Sequence, residues 1–295
     1  SYGGDKAIFG YGLNNSTTRV SMTNLVNNSG VVATDTTGVG SARYGLAAAS
    51  YGGDKAIFGY GITTGDADSW VSMTNLVSNT GVVAADVTGV GSRRYYLAAA
   101  GYGGDKAIFG YGTTGSYSSL TNLVSSSGVV ATDTTGVGTA RGYVAGVSYG
   151  GDKALFAYGY TGSNVSMSNL ISNLGVVSAD VTGVGTARGY LAAASYDTDK
   201  AIFGYGYNGS ANLSMSNLVS NNGIVASDVS GVGTARRQLG AAGYGGDKAI
   251  FAYGKAGAFT SIKNLVNSSG VIAADVTGVG TAREAIAAAG YSISA

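Results

Sequence analysis

One eleven-residue stretch, Tyr2 to Gly12 (Y-G-G-D-K-A-I-F-G-Y-G), returns with few changes at Tyr51, Tyr102, Tyr149, Tyr196 and Tyr244. Successive copies lie 47 to 51 residues apart. A fixed period of this size is the mark of a repeat array, in which each unit buries its apolar faces against its neighbours. No unit of this length makes a sizeable core alone. The chain is therefore expected to be one domain, residues 1–295, with repeats starting near 1, 50, 101, 148, 195 and 243.

Within one copy the pattern is all-β. Arg141 to Tyr149 (R-G-Y-V-A-G-V-S-Y) reads as a first strand, and Gly150, Gly151 and Asp152 as a tight turn. Residues 154–159 (A-L-F-A-Y-G) make a second strand and 160–164 a variable loop. Residues 165–171 make a third strand, 172–175 a turn, and 176–181 a fourth strand, before 182–187 lead to the next Arg. No segment has a helical period. Along the second strand Ala7, Phe9 and Tyr11 alternate with Ile8, Gly10 and Gly12, so neither face is polar and both should be covered. The first strand is built of small residues, as in Ala47-Ala48-Ala49, which suits sheets converging on an axis. The fourth, with Thr34, Asp35 and Thr36, reads as a more polar outer edge.

The two ends complement each other. The chain opens at the turn after a first strand and closes with residues 283–291, a first strand with no unit to follow. Joining them predicts a six-bladed β-propeller of four-stranded blades, its ring closed when residues 283–291 complete the first blade. The chain lacks an initial Met and begins at a repeat boundary, which reads as a segment of a longer protein.

An Arg, a run of small residues, a turn and an aliphatic-aromatic strand ending in a doublet make up this blade. The pattern, carried by Arg188, Leu191–Ala194 and Ile202–Gly206 and repeated over nearly the whole chain, resembles the kelch repeat of galactose-oxidase-like propellers. It departs from kelch in having Tyr-Gly where that family has Gly-Gly (Tyr11-Gly12, Tyr60-Gly61). The kelch Trp is also missing; only Val39, Val90 and Val137 stand in that region. The repeats are also similar to those of viral and phage-associated propeller proteins. The resemblance implies a fold, not a function.

Composition excludes more than it suggests. The net charge is +1, so no basic footprint for nucleic acid and no polybasic membrane segment is expected. Cys, His and Pro are absent, which removes thiolate and imidazole catalysis and the usual zinc and copper ligands. No cofactor or metal is expected, and no apolar run is long enough to cross a membrane. There is no P-loop and no Ser/His/Asp set. The only Glu is Glu284, and Asp66 and Asp68 share a loop, too few carboxylates on one face to favour a glycosidase.

Three sets of residues are candidates. Arg43, Arg94, Arg141, Arg188, Arg236 and Arg283 hold one equivalent position, and a closed ring would place them around the axis as an anion site. The alternative is that each bonds backbone or an Asp of its surroundings. Asp5-Lys6 and its equivalents would circle the opposite mouth, where turn capping is the simpler role than calcium. The third set is where the copies disagree: the two residues after each Arg, and the loops after each second strand. In an up-and-down blade these share a face. They carry Tyr44, Tyr96, Tyr143, Tyr190, Trp70, Tyr117, Tyr160, Tyr207 and Phe259, aromatics suited to a sugar or a protein surface.

The expected function is a non-catalytic binding module that recognises a glycan or a surface protein, from an extracellular, virion or cell-surface setting, acting as a monomer. A purely architectural or engineered propeller with no ligand is the alternative, and a glycosidase comes last.

Overall fold

The computed structural model describes residues 5–14, 17–64 and 69–292. Its strands are β1 (Lys6–Gly10), β2 (Leu13–Asn14), β3 (Thr18–Arg19), β4 (Thr23–Val26), β5 (Ala47–Tyr51), β6 (Lys55–Gly59) and β7 (Thr74–Val77). They continue with β8 (Ala98–Tyr102), β9 (Lys106–Gly110), β10 (Thr121–Val124), β11 (Ala145–Tyr149), β12 (Lys153–Tyr160) and β13 (Asn164–Ile171). The last are β14 (Ala192–Tyr196), β15 (Lys200–Gly204), β16 (Ser216–Val219), β17 (Gly240–Tyr244), β18 (Lys248–Ala252), β19 (Lys263–Val266) and β20 (Ala287–Tyr291). Among the described residues there is no α-helix.

The strands form small antiparallel sheets: β5-β6-β7, β8-β9-β10, β11-β12-β13, β14-β15-β16, β17-β18-β19 and β20-β1-β4, with β2-β3 as a short hairpin. The last sheet joins the two ends of the chain, with Lys6 opposite Tyr291 and Gly10 opposite Ala287. The first strands β5, β8, β11, β14, β17 and β20 lie side by side in that order, and β20 also neighbours β5.

Adjacent sheets are held by a core of repeated composition. Strands such as β6 are apolar on both faces, so each gives its Ile (Leu155 in β12) to one neighbour and its Phe to the other. Ile8 packs in one cluster with Phe58, Ile57 with Phe109, Ile108 with Phe156, Leu155 with Phe203, Ile202 with Phe251 and Ile250 with Phe9. All twelve are fully buried, each contributing roughly 1.5–3 kcal/mol. The turns add backbone bonds between sheets. Gly52 N–H donates to Asp105 O, Gly103 to Asp152, Gly150 to Asp199, Asp197 to Asp247, Gly245 to Asp5, and Ser292 to Asp54. The turn aspartates thus serve the neighbouring sheet through their carbonyls. Their carboxylates pair with the following lysines, as in Lys106–Asp105 at 3.7 Å, an exposed contact of little energetic weight, except that Lys200 pairs with Asp197 rather than Asp199.

Two sequence expectations fail at the outer edge. The fourth segment of each unit is not a continuous strand. In the first unit only Val26↔Val32 and Thr23↔Thr36 bridge, three residues apart on β4 and four on the outer segment. The bulge this requires is filled by a side chain: Asn24 Nδ2 donates to Ala33 O at 3.0 Å and to Asp35 Oδ1 at 2.9 Å, replacing ladder bonds. Nor is this edge simply polar. Val31, Val82, Val129, Val176, Ile224 and Val271, one per unit, are 55–67% exposed.

The six arginines do not circle an opening. Each is fully buried, which rules out the central anion site. Arg188 represents them: Nε donates to Tyr205 O at 2.8 Å, Nη1 to Thr186 O at 3.0 Å and Nη2 to Asn217 Oδ1 at 2.6 Å. Asp228 lies 3.8 Å from Nη1, and the guanidinium stacks 4.4 Å from the Tyr158 ring of the preceding sheet. Arg43, Arg94, Arg141, Arg236 and Arg283 stack in the same way on Tyr11, Tyr60, Tyr111, Tyr205 and Tyr253. These stacking tyrosines are the first members of the Tyr-Gly doublets, and all sit at positive φ (62° to 66°). Left-handed backbone costs a tyrosine of order 1 kcal/mol or more. A ring fixed between Arg and the next sheet's Phe (Tyr158–Phe203, 5.3 Å) offsets that cost. The second member must be Gly. At Gly12, φ is 111°, and a Cβ would stand 2.6 Å from Glu284 O.

This network sets a pH window. Burial raises the Asp180 carboxyl. Hydrogen bonds from Thr139 and Asn169 and the Arg141 charge outweigh it, leaving the pKa below the ordinary value. Asp35, Asp86, Asp133, Asp228 and Asp275 repeat the pattern. A depressed carboxylate contributes stability that is present above its unfolded pKa of about 4 and lost as pH falls through the folded value. On the alkaline side, burial pushes the phenols of Tyr11, Tyr60 and Tyr253 up to about 12. Stability from a raised acid is whole below about pH 10 and lost between 10 and 12. Circular dichroism melts against pH should therefore show a plateau that falls below about pH 4 and above about pH 10. Tyrosinate absorbance should rise with unfolding. Bulk titration of the tyrosines near pH 10 in a fully folded protein would contradict this account.

Candidate functional site

The segments where the copies differ meet on one face. The residue after each Arg bridges to the segment following the second strand: Tyr44↔Ile62, Tyr95↔Thr113, Gly142↔Tyr160, Gly189↔Tyr207, Arg237↔Lys255 and Glu284↔Leu13. Further bridges return the loops: Ile62↔Trp70, Thr113↔Tyr117, Tyr207↔Asn212 and Lys255↔Phe259. The variable side chains therefore stand on short antiparallel platforms rather than on loose loops.

Toward the centre, six backbone bonds follow one another. Tyr96 N–H donates to Gly45 O, Tyr143 to Tyr96, Tyr190 to Tyr143, Gln238 to Tyr190, Ala285 to Gln238 and Gly45 to Ala285. All six residues have φ between 48° and 63°. Below them lies a cavity of about 130 Å³ lined by leucines, alanines and glycines of the first strands and the residues before them, Leu46, Leu97, Leu191 and Leu239 among them. Tyr96, Tyr143, Tyr190 and Gln238 border its mouth, while Gly45 and Ala285 leave one sector small.

Eight rings on this face connect. Tyr143 lies 4.1 Å from Tyr190 and 4.6 Å from Tyr96, centroid to centroid. Tyr96 continues to Tyr44 (6.3 Å) and through Tyr95 (5.2 Å) to Trp70 (5.2 Å). Tyr143 continues to Tyr160 (6.3 Å), which meets Tyr117 (5.9 Å). Each is partly exposed. Burial raises the phenols of Tyr96, Tyr143 and Tyr190 above the ordinary tyrosine range, so these three stay protonated and offer hydroxyls.

Seven of the nine expected aromatics thus meet. Tyr207 and Phe259 do not. Arg237 lies over the Tyr207 ring at 4.7 Å and Lys255 over Phe259 at 5.1 Å. Sequence reasoning left out Tyr95, which links Trp70 to the rest. It also left out Gln238, whose Nε2 donates to Tyr96 Oη at 3.1 Å. Comparing copies flagged those positions as variable but could not tell which side chains reach one another. Asp66 and Asp68 lie outside the described residues. Among the described residues no three metal-binding side chains gather. No protein-family model and no curated protein sequence matches this chain.

Proposed function

We propose that the chain is a six-bladed, kelch-like β-propeller, closed by the pairing of β20 with β1, and that it serves as a non-catalytic module that binds a glycan on the variable face. Support for the architecture comes from the five Ile–Phe interfaces and the one Leu–Phe interface, whose series returns from Ile250 to Phe9. The reading of function rests on one observation: eight partly exposed aromatic rings joined on the face where otherwise similar copies differ. Such a surface suits the apolar face of a sugar ring, with the phenols bonding its hydroxyls. A cell-surface, virion or extracellular setting and a monomeric state go with this reading.

The architectural alternative has its own support in the sixfold Arg–Tyr stack, which explains most of the repetition by stability alone. A glycan array separates the two. Wild-type protein should bind a subset of glycans, and Trp70→Ala and Tyr117→Ala should each weaken binding about 30-fold, near 2 kcal/mol, as for a buried aromatic anchor. An array with no positive glycan would defeat the binding reading, and capture of protein ligands alone would redirect it.

A further inference from the structure

The aromatic network covers only part of the face. The remaining arc, from Asn212 through Lys255 and Glu284 to Asn14, is polar and unfinished. Asn212 Nδ2 donates to Lys255 O at 3.1 Å, and Lys255 Nζ lies 4.0 Å from Glu284 Oε1. The Glu284 backbone pairs with Leu13, next to Asn14. Five buried side-chain atoms among the described residues lack a hydrogen-bond partner, and four are in or beside this arc: Glu284 Oε2, Asn14 Oδ1, Asn212 Oδ1 and Arg19 Nε. Glu284 is only 7% exposed. An unmatched buried acceptor is costly, more so when charged. The other copies carry nothing comparable, having Tyr44, Tyr95, Gly142, Gly189 and Arg237 where the chain's single Glu stands.

Three of the four orphaned atoms are acceptors, so their complement is a cluster of hydroxyl donors. The charges around them are of both signs, and Arg19, beside the arc, already lies over the Tyr44 ring at 5.6 Å. Glu284 faces Lys255 and Arg237, and both cations already lie over rings. An acidic sugar would meet Glu284, and an ammonium group would meet Lys255 and Arg237. We propose that the arc Asn212–Lys255–Glu284–Asn14 is the hydroxyl-reading subsite of this face and takes a neutral pyranose. Adjacent hydroxyls donate to Glu284 Oε2 and the two Asn carbonyl oxygens. The inference rests on the glycan-binding reading above.

Titration of the full chain, followed by NMR, with methyl β-galactoside, methyl α-mannoside and methyl β-glucoside as neutral probes tests it. N-acetylneuraminic acid and glucosamine serve as charged probes. At least one neutral glycoside should bind. Glu284→Gln, which turns an acceptor into a donor, and Asn212→Ala should each weaken it about tenfold, while thermal melts show both variants folded. Binding lost in Trp70→Ala but unchanged in Glu284→Gln and Asn212→Ala would overturn the subsite and leave the glycan reading standing. Binding of only the charged probes would overturn neutral-sugar selection, and binding of none of the five would overturn the subsite.

Discussion

A chain ending at Gly280 should fail to fold cooperatively at any temperature. Removing residues 281–295 takes away β20, the partner of β1, and leaves β1-β4 as a two-stranded remnant. Two-stranded sheets are marginal in water. The loss is more than a frayed end. Ile286 and Tyr291 leave the interfaces with Ile250 and with Phe58, at roughly 1.5–3 kcal/mol each. Arg283 leaves Tyr11 O, Asn24 Oδ1 and the Tyr253 ring without their partner, a further 3–5 kcal/mol or so. The total is comparable with the whole stability of an ordinary domain, about 5–15 kcal/mol. Calorimetry and near-ultraviolet circular dichroism of the truncated chain provide the test. A permutant that links Ser292 to Asp5 and opens at the 172–175 turn is the control, and it should melt within a few degrees of wild type. A truncated chain that melts sharply near the wild-type temperature would show that the pairing of the ends carries little weight.

How much of this was legible in the sequence follows from where each interaction finds its partners. Strands such as β6 could be read because their double apolar character is a property of six adjacent residues. The pairing of β20 with β1 could be read because residues 283–291 repeat a segment whose partner is evident in every other copy. The role of the arginines could not be fixed in the same way. Arg43 draws on Tyr11 before it and on Tyr60, Asn75 and Asp86 after it, residues up to 43 positions away. An isolated basic residue in a repeat gives no sign of whether it faces solvent or closes such a network. The outer segment was misread for a local reason: its alternation suits a strand, yet the Asn24 side chain takes the bonds a ladder would use. The site was visible as variation, and seven of nine aromatics fall together. The polar arc was hidden because Glu284 reaches Leu13, the neighbour of Asn14, only when the ends of the chain pair.

Arg188→Met should lower stability by about 3–5 kcal/mol, a fall in melting temperature of roughly 6–20 °C. Methionine keeps most of the volume, so the penalty comes from the abandoned acceptors: Tyr205 O and Asn217 Oδ1, both buried, and Thr186 O, partly buried. Arg188→Lys should recover little, because an ammonium cannot serve three divergent acceptors and lie flat on Tyr158 together. Tyr158→Phe keeps the stacked ring and loses only the 3.2 Å bond to Val184 O, so about 1 kcal/mol is expected. The six positions should behave alike with one exception. Arg94 Nε has no partner, so Arg94→Met abandons one acceptor fewer and should cost measurably less than Arg188→Met. Denaturant titrations of the six single variants would rank them. Equal losses at Arg94 and Arg188 would mean that stacking on tyrosine, rather than the hydrogen-bonded fork, supplies most of the energy. Losses below about 1 kcal/mol throughout would mean that the Ile–Phe interfaces hold the sheets together without the arginines.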